Sequence, residues 1–172
     1  MSDPAHDQNA PHSAPGDTTP TPVVPAVSID RIFAEMAQQS RTLTACIAVN
    51  KARLLPTLSA ACIAVVEVEY YGEGDSGGVD GMSSRNSNND PIDLPDTQIS
   101  LQTCNWNGEQ VTEREYSLAD GIEAFALDVI ESRYAGWENN DGACGIVRFL
   151  VAEDRIELEH GTKSIHYDFD EF

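Results

Sequence analysis

Apolar residues first recur at helical spacing just after Ser28. Ile29, Ile32, Phe33 and Met36 fall at i, i+3, i+4 and i+7, and Leu43, Ile47 and Leu54 continue a looser stripe. Ser28 stands where an N-cap belongs, and Asp30 suits the positive end of the helix dipole. Pro56 is expected to kink or end this helix, because proline lacks an N–H and crowds the preceding turn. The rhythm then changes to two. Over 62–71, Ala64, Val66, Val68 and Tyr70 point one way while Glu67 and Glu69 point the other, the pattern of a half-exposed strand. Residues 72–78 (GEGDSGG) read as a glycine-rich loop. Residues 79–96, with Asn86, Asn88, Asn89, Pro91 and Pro95, read as a long mobile connection.

Two more strands, 97–106 and 109–116, flank Asn107-Gly108, a dipeptide that favours a two-residue type I′ turn because both centres need positive φ. Ser117 caps a second helix, with Asp120 three residues on. Its buried stripe is Leu118, Ile122, Phe125, Ala126, Val129 and Ile130, and Gly136 suits the left-handed position beyond its end. Strands are then expected over 143–151, 155–160 and 164–169, the first two joined by a tight turn at Glu153-Asp154. The order predicts an α+β fold: an antiparallel sheet of about five to six strands with two helices packed on one face. Residues 28–172 form one domain. Residues 1–27 hold six prolines and few large apolar side chains before Val23, so they are expected to be a disordered tail, with His6 and His12 as solvated passengers.

Charge narrows the function classes. The 172 residues carry a net −19, of which −18 falls on residues 57–172, while the first helix is the only basic element. Such a chain lacks the basic patch that a nucleic-acid backbone requires, and an anionic membrane surface would repel it. No apolar run is long enough to span a bilayer, and residues 1–27 show neither the basic start nor the apolar stretch of a secretory signal. Cys46, Cys62, Cys104 and Cys144 are scattered without a C-x-x-C pair, which predicts free thiols in a reducing cytoplasm rather than a zinc or disulfide framework.

Gly74-Asp75-Ser76-Gly77-Gly78 spells the string around the nucleophile of trypsin-like proteases. The remainder of that machinery is missing: the chain is too short for two barrels, and the only histidines of the folded part, His160 and His166, follow the serine. A different resemblance covers about 120 residues, from Asn50 to Phe172. It rests on Asn50-Lys51-Ala52, on Gly72-Glu73-Gly74-Asp75-Ser76-Gly77, on Ser117-Leu118-Ala119-Asp120-Gly121-Ile122-Glu123, on Gly136-Trp137-Glu138-Asn139-Asn140-Asp141-Gly142-Ala143, and on the closing Asp170-Glu171-Phe172. In these strings the chain resembles a family of small acidic bacterial proteins of unknown function, often encoded on plasmids and other mobile elements. The resemblance implies no activity.

The loops 72–78 and 136–145 carry the candidate chemistry. Glu73, Asp75, Ser76, Asn139, Asn140 and Asp141, with Glu138, are hard oxygen donors of the kind Mg²⁺ or Ca²⁺ prefers, should the fold bring the loops together. The same sequences also make ordinary Asx and glycine turns. Trp137 and His160 are candidate surface contacts. Trp137 is read chiefly as sealing the core edge, and no nucleophile is placed beside His160. The closing aromatic and acidic run reads as an edge strand before a docking peptide. The expectation is therefore a small acidic cytoplasmic binding or modulator protein acting through protein–protein contacts on a basic partner protein, in its sharper form a DNA-mimic-like inhibitor. The alternative is a divalent-metal-dependent enzyme or ligand-binding domain built on the two loops.

Overall fold

A computed structural model describes residues 28–105, 107–164 and 166–172. The expected tail, 1–27, lies outside the described residues. Helix α1 (Ile29–Ala60) leads into the β1 (Val65–Glu73) and β2 (Ser76–Arg85) hairpin. A second hairpin, β3 (Gln98–Cys104) and β4 (Val111–Ser117), precedes helix α2 (Leu118–Arg133), and β5 (Ala143–Leu150) and β6 (Arg155–Thr162) close the fold. All strand pairs are antiparallel. The α+β expectation holds, with its six strands divided into a four-stranded sheet ordered β2-β1-β5-β6 and the separate β3–β4 pair.

One core joins these parts. Leu54, Leu55 and Leu58 of α1 and Leu118, Ile122, Phe125, Ala126 and Ile130 of α2 are buried with Val66, Val68 and Tyr70 of β1, Val147 and Phe149 of β5, and Ile99 and Leu101 of β3. Gly121 lets β3 approach α2, since a Cβ there would sit 2.9 Å from the Ile99 side chain. Ser117 caps α2 as its spacing predicts, its hydroxyl accepting from the Asp120 N–H at 3.1 Å.

α1 runs along the open edge of β3. Buried Asn50, 1% exposed, donates to the Gln102 carbonyl at 2.8 Å and accepts from the Gln102 N–H at 2.7 Å. It thereby gives this strand edge the partner that a third strand would provide. Arg53 donates to the Ser100 carbonyl and Thr42 to that of Gly108, extending the seam in both directions.

Four sequence expectations are corrected. Pro56 does not end α1, which continues to Ala60; Pro56 lies on the exposed side, while Leu54, Leu55 and Leu58 hold the last turns to the core. Ser28 does stand at the N-cap as expected, its carbonyl accepting from the N–H groups of Arg31 and Ile32, although its side chain makes no cap bond. The two-residue turn lies at Gly74-Asp75, with φ of +62° and +66°, and not at Asn107-Gly108, where the connection runs from 105 to 110. The supposed loop and connection over 76–85 is therefore a strand. Residues 86–92 form an ordered turn in which Asn86 Oδ1 accepts from the N–H groups of Asn88 and Asp90. At the other end, the described residues of 164–169 form no strand, so the expected three-strand meander has two.

The first turns of α1 also depart from a buried stripe. Ile29, Ile32, Phe33 and Met36 are 43–68% exposed. The β3–β4 hairpin tip meets α1 at Gln39, against which a Cβ on Gly108 would close to 2.6 Å, and the helix projects beyond that point.

Candidate functional site

The fold does bring the two glycine-rich loops together, and backbone joins them. Gly74 donates its N–H to the Asn140 carbonyl at 3.0 Å. Gly142, at φ +74°, passes so close to β1 that a Cβ would sit 1.9 Å from the Gly72 carbonyl oxygen. Trp137 lies over the β1–β2 hairpin, where a Cβ on Gly72 or Gly77 would approach its ring to 2.7 or 2.5 Å. The glycines thus leave room for the tryptophan and for the returning chain. Trp137 packs against the core and meets Tyr70 edge-on, ring centroids 5.2 Å apart, as a core-edge seal should.

Side chains from the two loops face two different hollows. The first, of about 360 Å³, is lined by Tyr134, Trp137, Asn139, Asn140, Asp141, His160 and Lys163. The His160 ring stacks on Tyr134 with centroids 3.7 Å apart, and its Nδ1 lies 2.6 Å from the Tyr70 hydroxyl. Burial lowers the His160 pKa and pushes Tyr70 up to about 12. Both groups are therefore neutral near pH 7; the Tyr70 hydroxyl also reaches the Glu159 carbonyl, to which it donates at 3.3 Å, and the histidine tautomer sets which group donates across the 2.6 Å contact with Nδ1.

Lys163 ties this end of the sheet together. It donates to the Gly72 carbonyl at 3.1 Å and to Glu73 at 3.2 Å, and stands 3.3 Å from the centre of the Tyr71 ring. Glu73 also accepts from the Tyr71 hydroxyl, and that bond, followed by Lys163, holds its carboxyl below the usual range.

The second hollow, of about 540 Å³, is lined by Asp75, Ser76, Gly77, Leu127, Asp128, Glu131, Trp137 and Glu138, with no lysine or arginine. Burial, and then the neighbouring Glu131, push Asp128 up to about 6. Glu138 Oε2 is buried without a hydrogen-bond partner among the described residues.

The sequence-selected residues thus divide three ways. Asn139, Asn140 and Asp141 join Trp137 and His160, Asp75 and Ser76 join the acidic hollow, and Glu73 is engaged by Lys163. Asp75 and Asp141 face different hollows, so the donor set expected for one shared Mg²⁺ or Ca²⁺ is not assembled. Among the described residues no three of His, Cys, Asp and Glu gather as a group that could hold a metal ion. Tyr134, Asp128 and Glu131 line the two hollows, and buried Tyr70 supports Trp137 and His160 from behind, without any of them being singled out by the sequence. Tyr70 is legible there only as an inward position of β1, and Asp128 only as a polar neighbour of the α2 stripe.

Acids on the outward face of the four-stranded sheet are paired with arginines. Arg148 bridges Glu67 at 3.1 Å and Glu159 at 2.8 Å, Arg85 reaches Glu67 at 3.0 Å, and Arg155 reaches Glu157 at 2.9 Å. A further groove, about 680 Å³, lies between α1, α2 and β6. Ile47, Phe125, Val129, Ile156 and Leu158 supply its apolar lining, and Lys51, Arg133 and Arg155 are among its polar residues. Ser40, Thr44 and Ile47 bring the exposed stripe of α1 directly into it. No helix of the described residues is long and apolar enough to cross a membrane.

No curated protein and no solved structure matches the chain significantly. A family model described as a family of unknown function, DUF6878, matches residues 46–171. The match begins where α1 turns its buried face to the core and takes in both hairpins, both glycine-rich loops and α2, so the chain belongs to the DUF6878 family.

Proposed function

We propose that this is a small acidic binding or modulator protein that acts through protein–protein contacts, and that the contact is made along α1. The observation that carries the reading is the exposed stripe Ile29, Ile32, Phe33 and Met36, which continues into the groove beside Ile47. An amphipathic helix whose apolar side is left open while the same helix is buried further along is a docking element, and helix-in-groove recognition uses i, i+3, i+4 and i+7 anchors. The partner is a protein offering an apolar ridge or groove. The net −19 favours one that is basic overall, because opposite charge raises encounter rates more than it adds affinity. A cytoplasmic location fits the four free cysteines. Mimicry of nucleic-acid charge has less support, because the outward sheet face alternates acids with arginines.

A pull-down from a lysate of the native host, at low and moderate salt, tests the reading with the wild type, Phe33→Asp and Asp75→Asn. One basic protein recovered by the wild type and by Asp75→Asn, lost with Phe33→Asp and weakened by salt, is the expected result. Equal recovery by Phe33→Asp, or no partner at low salt, overturns it. A wild-type dimer that Phe33→Asp converts to a monomer also overturns it, by making a second copy the occupant of the stripe.

A further inference from the structure

The seam between α1 and β3 carries a pair of thiols. Thr42 bonds to Gly108, Asn50 to Gln102 and Arg53 to Ser100, so the helix and the strand run past each other in step. Three to four helical residues advance about 5–6 Å and two strand residues about 6.6 Å, which keeps the matching positions opposite one another. Cys46 lies between Thr42 and Asn50 on the helix, and Cys104 lies two residues beyond Gln102 on the strand. The register therefore sets Cys46 against Cys104, near enough that Cys104, after burial, is among the causes that raise the Cys46 pKa; burial raises that of Cys104 as well. Both cysteines are free; Cys46 is buried and Cys104 is partly exposed.

We propose that Cys46 and Cys104 are a two-electron redox site, at which a peroxide forms a disulfide joining α1 to β3. Cys104, the more accessible, meets the oxidant first. Its thiolate attacks one peroxide oxygen, the O–O bond breaks, and the sulfur becomes a sulfenic acid while the other oxygen leaves as water after taking a proton. The Cys46 thiolate then attacks the Cys104 sulfur, the S–O bond breaks, and the hydroxide takes a proton and leaves as a second water. Overall, two thiols lose two protons and two electrons, and one hydrogen peroxide becomes two waters. The cross-link closes the chain between residues 46 and 104, and constraining so long a loop raises the unfolding midpoint of the oxidised protein by about 5–10 °C.

The full chain, treated with hydrogen peroxide, is unfolded in an alkylating agent and mapped by peptide mass spectrometry. The expected products are a Cys46–Cys104 linked peptide lighter by two hydrogens, released by dithiothreitol, and an unfolding midpoint that rises with the linked fraction. Cys62 and Cys144, both exposed, serve as internal controls. Recovery of Cys46 and Cys104 as alkylated thiols after Cys62 and Cys144 have oxidised overturns the proposal. A bond from either to Cys62 or Cys144, or an acid of Cys104 that stops short of the disulfide, does the same. The mapping uses the wild-type protein, so the outcome does not depend on whether a Cys104→Ser variant folds.

Discussion

Asp128→Asn removes the most strongly perturbed carboxylate of the acidic hollow. In the fold Asp128 titrates at about 6 against an ordinary 3.8, because burial and then Glu131 disfavour its charge. Glu138 and Asp75 line the same hollow, and no cation lines it to offset them. A raised folded-state pKa on an acid means that the folded state holds the proton more tightly than the unfolded chain. Well below pH 3.8 both states are protonated and Asp128 costs nothing. The penalty grows as pH rises from about 4 through 6 and is complete above about 7. The full shift corresponds to about 3 kcal/mol at 1.36 kcal/mol per unit. Asp128 keeps some contact with solvent, which reduces the usable part to about 1–2 kcal/mol. The variant should therefore unfold about 3–6 °C above the wild type at pH 7.5 and only about 1–2 °C above it at pH 4.5. Circular dichroism melts of both proteins across this range measure the difference directly, because every other titrating group is common to the two. A variant gain that is the same at both pH values, or a loss at pH 7.5, would refute the claim that Asp128 is held in its charged form against its surroundings.

Three further measurements probe other links. Asn50→Ala should lower stability by about 2–4 kcal/mol in urea unfolding, since it orphans both the N–H and the carbonyl of Gln102 along the β3 edge; a loss under about 1 kcal/mol would mean that water replaces the amide. Gly142→Ala should leave little folded protein by near-ultraviolet circular dichroism, because its φ is +74° and the new Cβ meets the Gly72 carbonyl at 1.9 Å; a native spectrum would show that the two loops do not close on each other. NMR titration of His160 should give a midpoint below 6.5, because burial disfavours the charged ring; a midpoint above 6.5 would break that link.

Much of this architecture is legible in local pattern, because burial writes itself at fixed spacing. The α2 stripe from Leu118 to Ile130 and the inward Val66, Val68 and Tyr70 of β1 all fall where their periods put them. β2 is hard to read because SGGVDGMSSR is an edge strand with little to bury, so its pairing depends on the turn at Gly74-Asp75 and on the neighbouring β1. That turn inverts the familiar Asp-Gly order, and a turn rule keyed to residue order passes over it. Pro56 misleads for the opposite reason: local chemistry points to a stop, while packing of Leu58 holds the helix. At the two hollows, the sequence picks out loops that the fold brings together but not the direction of each side chain. Whether Asp75 and Asp141 share a side depends on backbone crossings at Gly72 and Gly142, which are contacts between residues 70 positions apart.

The projecting part of α1 also bears on how the protein can diversify. Residues 29–38 lie ahead of the family match and outside the packed body, yet they are continuous with a helix anchored through Asn50 and Leu54. At 1.5 Å per residue, Phe33 stands about 25 Å from Asn50 along the axis. A stiff arm of that length presents its tip in a fixed direction without drawing on the core for support. Its surface residues are therefore free to drift under selection for new contacts, and the fold behind them registers no penalty. Relatives sharing the body should keep Asn50 and the glycines of the loops while differing most along the arm, as a tool changes its bit and keeps its handle.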